Sequence, residues 1–112
     1  VSRPALFAAS AAIKDISWLK KEVNHIRKWN KILFKKFKEM KIVTNESKTN
    51  FLLLNFDRVN ISSKKVFQKL ANAGILVRAM NIYGMKNSLR ITIGKSKENK
   101  KLIFIFRKIF NV

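Results

Sequence analysis

The alternation in SLRITIG, Ser88 to Gly94, constrains this chain more than any other stretch. Leu89, Ile91 and Ile93 alternate with Arg90 and Thr92, the period of two that marks a strand with one buried face. That register turns Arg90 and Thr92 away from the aliphatic side. Gly94 ends the strand, and Ser96 stands where a helix N-cap would, ahead of a long apolar-periodic segment. An arginine on a rigid strand between two turns presents a planar, permanently charged fork to a carboxylate. Taken alone, such a residue is more often a solvated surface charge. Its surroundings decide between the two.

A half-buried strand needs neighbours and a cover, and the rest of the chain offers both. Phe51 to Phe56 is a nearly continuous apolar run, expected to be a strand buried on both faces. Lys41 to Thr44 and Ile75 to Arg78 are shorter strand candidates. Pro4 suits the first turn of a helix over Ala5 to Lys14, and Asp15 is placed to cap a second helix running toward Met40. That helix carries an apolar stripe, Leu19, Val23, Ile26, Trp29, Leu33, Phe37 and Met40, with lysines over most of the remainder. The stripe is read as packing on the chain's own sheet; a membrane surface or a partner is the other use of such a face. His25, beside the stripe, reads as structural. Ser62 or Ser63 caps a further helix with Val66, Phe67, Leu70 and Ala71 on its core face, and Gly74 sits where a C-terminal cap requires positive φ. LIFIF at Leu102 to Phe106 has strand propensity, but the Ser96 cap and the segment's length favour a helix. The order is two helices, two strands, a helix, two strands and a helix. It predicts an α+β fold, a small, largely antiparallel sheet with helices on one face.

Composition excludes several functions. The 112 residues make one domain, short for a full enzyme, and an initial Val reads as a piece of a longer protein. There is no cysteine, and His25 is the single histidine, so neither a disulfide framework nor a thiolate or histidine-cluster metal site is expected. No apolar run approaches the ~18 residues of a membrane span, and nothing resembles a signal peptide, so a cytoplasmic setting without membrane contact is expected. The net charge of +19 points toward nucleic acid. However, the lysines are scattered and form no run of the kind that marks a binding tail. Lys, Ile, Asn and Phe make up close to half the chain, in core and surface positions alike. Compositional drift accounts for this first, and a basic α+β nucleic-acid-binding module is the alternative. With no Ser/His/Asp arrangement, carboxylate pair or glycine-rich phosphate loop in the sequence, a self-contained enzyme is not expected.

From Gly74 to Lys101 the sequence resembles the class I/II aminotransferases of pyridoxal-phosphate fold type I, and among them the histidinol-phosphate branch. The features that carry the resemblance are Ile75-Leu-Val-Arg78, the Tyr83-Gly84 turn, LRITIG, and Ser96 with Glu98-Asn99 opening the last helix. SKTNFLLLNF (Ser47 to Phe56) and the opening VSRPALFAASAAIKD extend it over nearly the whole chain. The resemblance implies a C-terminal small domain over residues 1–112: a helical segment, 1–40, leading from a large domain, and a sheet-and-helix core, 41–112. It implies that Arg90 grips a substrate carboxylate, that Arg78 helps hold the substrate's phosphate, and that Tyr83 and Asn50 lie near the pocket. It places no catalytic or cofactor-binding residue in this chain, because the cofactor lysine and most pyridoxal 5'-phosphate contacts belong to the large domain. An amino donor and a 2-oxo acid are the implied partners of a full-length homodimer, with no specific nucleic acid. Ala79 stands where proline is usual, Asn81-Ile82 where a smaller pair is usual, and Lys95 where Thr or Ser is common. These departures shape the side-chain pocket and leave an aromatic amino acid as the alternative donor.

Overall fold

The computed structural model describes residues 5–111, with side chains from residue 15 onward; the role expected of Pro4 lies outside them. One helix, α1, runs unbroken over Ala5–Glu39, so the expected division at Asp15 is not found. An N-cap requires extended backbone, but no Gly or Pro interrupts residues 5–39, and an aspartate inside a helix costs only about 0.7 kcal/mol relative to alanine. At 1.5 Å per residue α1 is about 52 Å long, whereas a five-residue strand spans only about 17 Å. The helix therefore outruns the sheet it covers. Trp29, Leu33, Phe37 and Met40 are buried and Ile26 half-buried, but Leu19 is 52% and Val23 44% exposed. Only the C-terminal half of the stripe is core.

At the end of α1, Lys41 adopts φ +67°, Lys41 N–H donates to Lys38 O at 3.1 Å, and Ile42 N–H reaches Phe37 O at 3.1 Å. This is a Schellman cap with lysine in the left-handed position that glycine favours, and it turns the chain into β1 (Val43–Thr44). A second helix, α2 (Ser63–Asn72), ends in the same way. Gly74 has φ +82° and Ile75 N–H donates to Leu70 O at 2.8 Å. Ser62 is the N-cap of α2, its hydroxyl accepting Lys65 N–H.

The sheet follows the order β1, β2 (Phe51–Asn55), β4 (Ser88–Thr92), β3 (Arg78–Ala79), and every pairing is antiparallel. Leu52 faces Ile91 and Leu54 faces Leu89 across the central pair, and all four are buried beneath α1, α2 and α3 (Ser96–Phe110). Phe37 and Phe106 meet edge to face there, with ring centroids 4.8 Å apart. The other face of the sheet is open, so β2 is fully buried on one side only: Phe51, Leu53 and Asn55 are half-exposed. The expected α+β architecture, with helices on one face, is the one observed.

Two boundaries differ from expectation. Ile75 to Val77 do not join the sheet: Ile75 N–H is taken by Leu70 O in the Schellman turn, and a cleft of about 350 Å³ is lined by Ile75, Leu76 and Val77 on one side and Ile91 and Thr92 on the other. The N-cap of α3 is Lys95, not Ser96; Glu98 Oε1 accepts Lys95 N–H at 2.9 Å, and Ser96 is the first helical residue.

Candidate functional site

Arg90 lies in the middle of β4, on the open face, as the alternation requires. Its register partner on one side is Leu53 and on the other Arg78. Residues directly opposite on antiparallel strands project from the same face, with Cβ atoms about 4.5–5.5 Å apart. The fold therefore sets two arginines on neighbouring strands of one face. Like charges so placed destabilise a sheet by about 0.2–1 kcal/mol, and an anion bound between them reverses the sign.

The two arginines are held differently. Arg78 is exposed, and its Nη1 donates to Tyr83 Oη at 3.3 Å. Arg90 is half-buried, with its guanidinium carbon 5.1 Å from the Phe51 ring centroid, a cation–π arrangement. Its Nε is buried with no hydrogen-bond partner, a polar group of the kind that normally finds one. The structure thus brings Arg90, Arg78 and Tyr83 together and adds Phe51, which sequence reasoning did not single out. The signal was available: Phe51 and Arg90 both fall on the outward half of the period-two pattern.

Asn50 is not gathered with them. It precedes β2 and is exposed, and its carbonyl accepts Ile93 N–H at 2.7 Å; strand alternation puts it in line with Leu52, on the opposite face from Arg90.

The loop joining β3 to β4 is anchored rather than loose. Residues Asn81–Tyr83 form one turn of 3-10 helix, closed by Gly84 at φ +78°. Asn87 N–H donates to Asn81 Oδ1 at 3.2 Å, and the Asn87 side chain bonds both Ser63 N–H and Asp57 Oδ1. Ile82, at one of the unusual positions, is 85% exposed.

The strand positions on this face, Phe51, Leu53, Asn55, Arg78, Ser88, Arg90 and Thr92, include no lysine. The face suits an anionic, oriented ligand.

A family profile described as aminotransferase class I and II matches residues 1–105. The chain is 42% identical to histidinol-phosphate aminotransferase of Pelagibacter ubique over 99% of its own length and 31% of that protein's. It is 41% identical to the histidinol-phosphate aminotransferase of Campylobacter jejuni over 97% of its length and 29% of that protein's. It thus spans about three-tenths of these curated relatives. Among solved structures, histidinol-phosphate aminotransferase from Clostridium acetobutylicum superposes with TM-score 0.77 at 24% identity, over 88% of this chain and 30% of that one. Aspartate aminotransferase from Thermus thermophilus superposes with TM-score 0.69 at 14% identity, over 90% and 26%. Both share the fold.

Proposed function

The chain belongs to the aminotransferase class I and II family, and from that membership we propose that it is the C-terminal small domain of a histidinol-phosphate transaminase. The reaction exchanges an amino group between histidinol phosphate and 2-oxoglutarate, giving imidazole acetol phosphate and glutamate. Pyridoxal 5'-phosphate, when bound, supplies the electron sink for that exchange. Its lysine and most of its contacts are assigned to the remainder of the polypeptide, in keeping with a face here that has arginines and no lysine.

One observation carries the reading: Arg78 and Arg90 stand opposite each other on the open face. Glutamate and 2-oxoglutarate present a carboxylate beside the reacting carbon, whereas histidinol phosphate presents a phosphate ester there and no carboxylate. A single site must accept both. Arg90 takes either group through its planar fork, which fixes orientation as well as position. The phosphate, with its second negative charge, also engages Arg78. Tyr83, bonded to Arg78, holds that guanidinium toward the shared site, while Asn50 belongs to the frame of the strand.

The domain division follows the same reading. Residues 1–40 lead from the large domain, whose surface covers the exposed Ile16, Leu19 and Val23, and residues 41–112 form the closing core. The full-length protein is then a cytoplasmic homodimer. Expression of the full-length polypeptide tests the assignment: glutamate must form from histidinol phosphate and 2-oxoglutarate, with kcat/KM well above that for phenylalanine as donor. No transfer, or a preference for phenylalanine, would overturn it.

A further inference from the structure

Gly94 follows Arg90 by four residues, and one side chain takes both of its backbone polar groups. Its N–H donates to Asn99 Oδ1 at 2.9 Å and its carbonyl accepts from Asn99 Nδ2 at 2.9 Å. Asn99 is only 2% exposed. The same carbonyl receives a second bond from α1, from His25 Nε2 at 2.8 Å. The ring proton must therefore sit on Nε2, which both the Nε2–H tautomer and the imidazolium provide. Nearby, Trp29 Nε1–H donates to Ser96 Oγ at 3.2 Å. A Cβ on Gly94 would come within 2.8 Å of Glu98 Oε1, so a larger residue here would displace the Glu98 side chain that caps α3.

The location gives these bonds a purpose. On its outer side β4 pairs with β3 only through Leu89 and Arg90. Past Arg90, the strand has β2 on one side and the cleft on the other. Arg90 Nε has no hydrogen-bond partner among the described residues, so the direction of the fork is set by the Phe51 ring it lies over and by where the backbone of β4 is held. His25 is placed where α1 leaves the sheet, between exposed Val23 and buried Trp29.

We propose that His25 is a positioning residue for Arg90: its bond to the Gly94 carbonyl ties α1 to the half-paired end of β4 and keeps the arginine fork in the orientation that anion binding requires. The proposal rests on Arg90 being the residue that grips the substrate anion. Asn99 holds Gly94 to α3 alone. Among the described residues, the side-chain hydrogen bonds that couple this turn to α1 are those of His25 and Trp29.

The test uses the full-length polypeptide with His25→Leu, which removes the donor at similar volume, and His25→Gln, which restores one. Selective 15N-arginine labelling reads the order of the Arg90 Nε–H bond directly, without reference to activity. In His25→Leu the order parameter is expected to fall from the rigid range toward roughly 0.6 or below, and in His25→Gln to recover. The KM for 2-oxoglutarate is expected to rise about three- to tenfold in His25→Leu with kcat within about twofold, and to return in His25→Gln. An unchanged Arg90 order parameter, an unchanged KM, or a glutamine variant behaving like leucine would overturn the proposal. If the unsubstituted polypeptide transfers no amino group, the proposed reaction falls, and the Arg90 order parameter alone decides the positioning role.

Discussion

The residue that most shapes the open face is the one directly opposite its own kind. Arg78 and Arg90 share a register position, and nothing acidic lies between them on the strands, so without a bound anion the pair repels. Arg78→Gln, keeping a long polar side chain, should therefore stabilise the anion-free protein by about 0.2–0.5 kcal/mol, because the site is solvent-exposed and screened. Urea unfolding at low salt measures this, and the gain should shrink at high salt. A loss of stability would mean that the two guanidinium groups do not feel each other. Arg90 was legible because alternation alone assigns it a face. Its pairing with Arg78, twelve residues before it, was not, since register is set by the turn joining the two strands, and the Tyr83-Gly84 signal marks a turn without fixing that register. Asn50 shows the opposite limit: chain proximity to β2 suggested the site, and strand parity put it on the other face.

At the scale of elements, patterning and caps carried most of the architecture. Ser62, Gly74 and the helical face of Leu102 and Phe106 all behave as their chemistry requires. Where reading failed, a local signal was overruled by its context. Asp15 has the chemistry of a cap but no break in the chain beside it, and Ile75 to Val77 have strand propensity but begin in a Schellman turn that uses the Ile75 N–H. The left-handed Lys41 was invisible because lysine does not advertise positive φ. The stripe of α1 reads as one face but works as two. Leu33 is fully buried whereas Leu19 is 52% exposed. Leu33→Ala should cost about 2–5 kcal/mol, while Leu19→Ala in the 112-residue chain should change stability by less than about 0.5 kcal/mol. Thermal or denaturant unfolding of the two variants checks it. Equal losses would mean that the upper half of α1 is covered within this chain.

For the whole molecule, sequence and fold agree on a division of labour. The chain combines a sheet with one open face that carries Arg78 and Arg90, a core on the other, and a helix longer than the sheet it covers. Its basic residues are spread over the three helices, the connecting segments and strands β3 and β4, and strands β1 and β2 have none. Alternation within one strand says nothing of neighbouring strands, and it is the register that sets Arg78 opposite Arg90, with Tyr83 bonded to Arg78. Arg90 and Arg78 are proposed to play different parts in the full-length polypeptide, and half-reaction kinetics separate them. Arg90→Lys keeps the charge but loses the fork. It should lower kcat/KM about ten- to a hundredfold, the worth of one charge-assisted hydrogen bond, for both histidinol phosphate and 2-oxoglutarate. Arg78→Lys should penalise histidinol phosphate while leaving 2-oxoglutarate nearly unchanged. Equal losses on both substrates in Arg78→Lys, or none in Arg90→Lys, would contradict it.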